Sequence, residues 1–332
     1  MRFHHLLRSY INTGCLSARD VVLSGLVKEL PFRMNAGRVC RKMKLHKWQE
    51  KSNLLKVNLP EYHGSNICLI GLQRQLLSIR NDLVTVLIHG SQADGFTTGY
   101  SDLDALVVLK DEVFDRSADL ARIASVLSDS RQWFHQIDPL QHHGWFVAVE
   151  SDLNHYSEKI LPLEVIKEAV VLLGDRQLEF RFQSHDRQHY VKMAHHVLNH
   201  LEGKLSKLRL PNQLYALKSL LSEFMMLPVL YQQALTGQGC SKRDSFKLAA
   251  TDFTEREWAI MEKVSAVRNE WQFKPKNRTR KILLSTSGFS WKLRKKWPIS
   301  VPDAIKNQFD DNSCLEMLHF IRTMRASLER LK

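Results

Sequence analysis

LVTVLIHGSQADGFTTGYSDLDALVVL, residues 83–109, is the stretch that decides the fold. The β-rich apolar run Val84, Val86, Leu87 and Ile88 ends in His89-Gly90-Ser91, and a polar, glycine-dotted loop follows. Ser101-Asp102-Leu103-Asp104 then leads into a second apolar run, Ala105–Leu109. The pattern predicts strand, tight turn, loop, strand. Strand side chains alternate faces, so Asp102 and Asp104 project together while Leu103 goes to the other side. Two adjacent carboxylates repel, and a divalent cation with oxygen ligands is the usual resolution. Gly90 lets backbone approach a ligand closely, and amide N–H groups beside a serine hydroxyl can hold phosphate oxygens. A phosphate grip beside paired carboxylates points to phosphoryl or nucleotidyl transfer; a calcium-type loop or a solvated acidic turn is the plainer alternative.

Gly90-Ser91, ten intervening residues and Asp102-Leu103-Asp104-Ala105 resemble the signature of the DNA polymerase β-type nucleotidyltransferase superfamily, whose bacterial members include aminoglycoside and minimal nucleotidyltransferases. The resemblance covers about residues 66–180. It implies an α+β fold, a mixed β-sheet with flanking helices, followed by an α-helical bundle. It also implies Mg²⁺ or Mn²⁺ on Asp102 and Asp104, and a nucleoside triphosphate, ATP by expectation, as co-substrate. Gly90 and Ser91 would hold its phosphates. The superfamily places a third carboxylate on a neighbouring strand. Asp138, after Ile137, is the first choice and Glu150 the fallback, although Asp138-Pro139 is also ordinary turn chemistry. Lys242, in a glycine-containing loop, could reach a triphosphate.

The 332-residue chain is long enough for two cores. Five scattered cysteines form no CxxC pair, which predicts reduced thiols and a cytoplasmic setting. No apolar run approaches the ~20 residues that span a bilayer, and no membrane partner is expected. The formal charge of +13 is unevenly placed. Residues 1–60 hold 12 Lys and Arg against 3 acids, and residues 271–297 hold 9 against none. Residues 61–180 hold 9 basic and 18 acidic residues, so the motif lies in an acidic segment. Residues 1–60 are expected as a poorly ordered basic extension; a targeting segment and a nucleic-acid-binding arm compete with that reading. In residues 274–297, clustered Lys and Arg interleave with Phe289, Trp291 and Trp297. That pattern fits an RNA contact as well as it fits amphipathic packing.

Periodicity predicts helices over 66–81, Asp115–Ser128, 161–175 (ending at Gly174), 254–271 and Cys314–Leu331, with a long one from Asp186. Leu214, Leu217, Leu221 and Phe224 mark a further helix, with Pro228 as its kink or end. Trp133–Ile137 and Trp145–Val149 read as short strands around a turn. His142 and His143 in that turn could contact a phosphate or the acceptor, but exposed loop histidines are the simpler reading. His196 and His200 have a metal-capable spacing, but no HExxH pattern accompanies them. The arginine–histidine spacings miss the ribonuclease motif of toxin partners. The acceptor is expected to carry a hydroxyl. A non-catalytic RNA- or partner-binding protein on the same fold is the alternative function.

Overall fold

The computed structural model describes residues 2–17, 30–51, 53–273, 275–284 and 298–330. Phe289, Trp291 and Trp297 lie outside the described residues, and so does most of the expected basic–aromatic segment. In chain order the elements are helices α1 (Arg2–Thr13) and α2 (Leu30–Lys44), strand β1 (Asn53–Asn58), α3 (Ile67–Leu76), β2 (Leu83–His89) and the one-turn α4 (Ser91–Asp94). Next come β3 (Asp104–Leu109), α5 (Ser117–Ile137), β4 (Phe146–Val149), α6 (Glu150–Leu153), α7 (Leu163–Lys167), β5 (Val170–Gly174) and β6 (Gln177–Phe182). The rest is helical: α8 (Arg187–Leu205), α9 (Leu214–Phe224), α10 (Leu227–Thr236), α11 (Lys242–Ala250), α12 (Glu255–Asn269), α13 (Asn277–Leu284), α14 (Asp303–Gln308) and α15 (Asp311–Glu329). The fold is a mixed sheet with flanking helices plus a helical region.

Two compact units emerge. One comprises residues 1–97, 101–183 and 274–296, and the other comprises 98–100, 184–273 and 297–332. In the first, the four-stranded sheet has the order β4-β3-β2-β5. β3 and β5 run antiparallel to β2, and β4 runs parallel to β3. Alternation along β3 feeds two cores. Leu103, Ala105, Val107 and Leu109 enter the core built with α1, α2, α3 and α5. Leu106 and Val108 enter a second core with Leu59, Tyr156, Ile166 and Phe180. The latter face is roofed by a two-stranded antiparallel ribbon, β1–β6.

Both edges of the four-stranded sheet are covered. On β4, the Asn12 side chain of α1 accepts a hydrogen bond from the Trp145 N–H at 2.8 Å and donates to its carbonyl at 3.0 Å. A Cβ on Gly144 would collide with the Asn12 Oδ1, so that approach requires glycine. On β5, Val171 exchanges backbone bonds with Pro60 and Tyr62.

Two local expectations are corrected. Residues 133–137 are the last turns of α5 and not a strand: Phe134 is buried against Trp145, and Trp133 packs over Gly71. Residues 161–175 are not one helix; α7 stops at Lys167, and Val170–Gly174 is β5, paired with β2. Within residues 1–60, the described helices α1 and α2 contribute to the core. Phe3, Leu7, Tyr10 and Ile11 of α1 and Phe32, Ala36 and Val39 of α2 are buried in the first core, while Arg33, Arg38, Arg41, Lys42 and Lys44 stay exposed.

In the helical unit, Thr254 and Glu257 form the expected capping box at the start of α12. Pro228 opens α10, which separates it from α9. The apolar stretch 214–236 is long enough to cross a membrane, yet about two-thirds of it is buried within the protein, as in a core helix pair.

Candidate active site

The site grows from the end of β2. Its strand pairing places His89 opposite Asp104. The chain must then leave the sheet sharply, and Gly90 does so at φ 69° and ψ −153°, a region open in practice only to glycine. Its carbonyl accepts from the Ala93 and Asp94 N–H groups, which closes the single turn of α4 begun by Ser91. A Cβ built on Gly90 would stand 3.5 Å from Asp104 Oδ2, so the turn faces that carboxylate directly.

Asp102 lies in the loop before β3, and Asp104 is the first residue of that strand. Both are half-buried. Their carboxylates converge with a third group: one donor atom each from Asp102, Asp104 and His143 lie within 4.8 Å of one another. His143 arrives through the β3–β4 pairing. Leu106 pairs with Phe146, so the residues just before β4 run past the Asp104 end of β3. Two carboxylate oxygens and an imidazole suit Mn²⁺, and the oxygens suit Mg²⁺. The donor set therefore fits the cation that the motif implies.

The peptide between the two aspartates is held firmly. Leu103 is fully buried, and its N–H donates to Gln141 Oε1 at 2.9 Å. Its carbonyl accepts from Gln141 Nε2 at 2.8 Å. This amide clamp fixes the backbone on both sides of Leu103, and with it the origins of both carboxylates. Gln141 is itself presented by Asp138, which ends α5. The Asp138 Oδ1 accepts from the Leu140 N–H at 2.9 Å, and the Asp138 carbonyl accepts from the Gln141 N–H. Asp138 is buried and is not part of the converging cluster. Glu150 follows Val149, which pairs with Leu109, and so lies at the far end of β3 from Asp104. Neither Asp138 nor Glu150 joins the pair; His143, an exposed loop histidine as expected, does.

Two further residues complete the electrostatics. His89 is buried against the Phe146 ring at 5.5 Å, and its Nε2 has no hydrogen-bond partner among the described residues. Burial, with His143 adding to it, drives the His89 pKa down to about 4 against the pull of Asp102, so its imidazole is neutral at pH 7. Arg8, on α1, places its guanidinium 4.0 Å from the centre of the Phe146 ring. Burial holds its pKa below the ordinary value, and the charge of Asp104 works in the opposite direction. Arg8 thus supplies a cation that partly offsets the paired aspartates. Lys242, on the other unit, is the first residue of α11, and its carbonyl accepts from Ser245 Oγ.

No protein-family profile matches the chain, and no curated protein matches it. Among solved structures, the chain is similar to the spectinomycin adenyltransferase AAD(9) of Enterococcus faecialis, determined with ATP and spectinomycin. The match has 13% identity and a TM-score of 0.35, and it covers 70% of this chain and 100% of that one.

Proposed function

We propose that the chain is a metal-dependent nucleotidyltransferase, moving a nucleoside monophosphate from a nucleoside triphosphate, ATP by expectation, to a hydroxyl acceptor with release of pyrophosphate. The observation that carries this reading is the convergence of Asp102, Asp104 and His143 beside the Gly90 turn. Asp102 and Asp104 would hold a divalent cation, Mg²⁺ or Mn²⁺, with His143 as the third protein ligand. Such a cation would supply neutralisation of phosphate charge in the transfer. The Gly90–Ser91 backbone and the Ser91 hydroxyl bind the β- and γ-phosphates. Arg8 tempers the negative field of the carboxylates, which eases entry of a polyanion. Buried His89, with its pKa lowered to about 4, stays neutral at pH 7 and adds no positive charge to compete with the cation. Asp138 and Gln141 serve as positioning residues.

The test is pyrophosphate release from each of the four triphosphates with Mg²⁺ or Mn²⁺, using aminoglycosides, tRNA or a protein lysate as acceptor. Asp102→Asn is expected to lower release by about 10²–10³-fold, the range for losing one electrostatic contact at the reacting centre. If the variant keeps both metal-dependent triphosphate binding and turnover, the reading is wrong.

One observation favours a second reading. The exposed face of α2 carries Arg33, Arg38, Arg41, Lys42 and Lys44, with no acid in the helix. A protein binding RNA through that face would show strongly salt-dependent affinity, unchanged by Asp104→Asn and without pyrophosphate release.

A further inference from the structure

A second set of metal-capable side chains lies away from the paired aspartates, within the same unit. His4 sits in the first turn of α1, His46 just past the end of α2, and Asp152 in α6. One donor atom from each lies within 4.8 Å of the other two. His4 Nε2 stands 2.8 Å from Asp152 Oδ1. That contact is a hydrogen bond; two donors about 2.0–2.2 Å from one tetrahedral zinc are roughly 3.3 Å apart, so a zinc taking the proton's place needs the pair to part by about 0.5 Å.

Asp152 is 1% exposed and firmly oriented. The Trp48 indole N–H donates to its Oδ1 at 3.0 Å, and the Val149 N–H donates to its Oδ2 at 2.9 Å. Carboxylates that serve as ligands are commonly held this way by neighbouring donors. His46 is clamped between rings, 5.1 Å from Phe3 and 4.7 Å from Trp48.

We propose that His4, His46 and Asp152 form a binding site for a divalent cation of the zinc class. Two imidazoles and one carboxylate, with an open fourth position for water, match the preferences of Zn²⁺ and are poor for Mg²⁺. The three ligands come from segments far apart in the chain, so the ion fastens α1 and the α2–β1 connection onto the end of β4. Its role is structural, and it is separate from the paired aspartates. The inference therefore stands whether or not the chain transfers nucleotides.

The experiment uses the full chain, stripped of metal and held in millimolar Mg²⁺, with Zn²⁺ added by titration calorimetry. Asp102→Asn/Asp104→Asn supplies a background lacking the first cluster. One zinc per chain is expected in that background. Adding His46→Ala is expected to weaken it by about 100-fold or more, a loss at least as large as for removing a supporting contact. His46 is only half-buried, so the substitution leaves the fold intact, as circular dichroism will verify. Co²⁺ in place of Zn²⁺ is expected to give the visible absorption of a four-coordinate centre in the background protein and not in the His46→Ala protein. Zinc binding untouched by His46→Ala overturns the proposal. So does a background protein that binds no zinc.

Discussion

Gln141→Leu isolates the clamp between the two aspartates from any assumption about chemistry. Leucine keeps most of the volume, so little cavity forms, but it removes both hydrogen bonds to Leu103. Gln141 and Leu103 are both 0% exposed, so the Leu103 N–H and C=O are left buried without partners. Each orphaned backbone group costs about 1–3 kcal/mol, which gives a destabilisation of about 2–6 kcal/mol. Two assays read it. Urea unfolding followed by tryptophan fluorescence reports the loss in the unit that carries the sheet. Amide hydrogen exchange at Leu103 reports it locally, because that N–H is protected by the bond being deleted. Protection is expected to fall at Leu103 while Val107, in the middle of β3, keeps its protection apart from the overall loss of stability. If the proposed function holds, binding of Mn²⁺ is expected to weaken alongside, since the peptide that spaces the aspartates is freed. A stability change below about 0.5 kcal/mol, with Leu103 still protected, refutes the clamp.

Gly90→Ala is expected to cost about 1–3 kcal/mol. The cause is backbone strain at φ 69°, because the added Cβ meets Asp104 Oδ2 at an ordinary 3.5 Å; thermal melting within 1 °C of wild type would contradict this. His89 makes stability depend on pH. Its folded pKa of about 4 lies below the ordinary 6.5, so the unfolded chain binds more protons between those values. Stability is full above about pH 6.5 and falls as pH drops toward 4, by about 3 kcal/mol in total. His89→Gln is expected to flatten that part of the profile in urea titrations from pH 4 to 7, and an unchanged slope would show that other groups set it.

The strands around Gly90 and the adjacency of Asp102 and Asp104 were legible because local pattern decides them. Apolar runs of strand length bounded by glycine and polar turns leave few alternatives. The helix ends were harder. Trp133-Phe134-His135-Gln136-Ile137 has the aromatic and branched composition of a strand, yet Phe134 packs on Trp145 and Trp133 on Gly71, contacts distant in sequence that hold the segment helical. Residues 161–175 join a short helix to a short strand, and one apolar run hides the junction. In residues 1–60 the excess of basic charge masked an amphipathic pattern, Phe3, Leu7, Tyr10 and Ile11, that does reach the core. The third member of the cluster was missed for another reason. A histidine two residues before Trp145 becomes a neighbour of Asp104 only through the parallel pairing of β4 with β3, and no local periodicity reports that. Asn12, Arg8 and Gln141 are invisible in the same way, since each acts on a partner far along the chain.

The covered edges of the central sheet bear on how this protein meets other chains. An open strand edge is a template on which a second copy or an extended peptide can pair. Here the Trp145 peptide at the β4 edge is taken by the Asn12 amide and the Val171 peptide at the β5 edge by Pro60 and Tyr62. The N-terminal helix is thereby a guard against aggregation as well as a piece of core. A chain beginning at residue 30 would present a bare β4 edge, and it would come out of the cell as assemblies and not as single molecules.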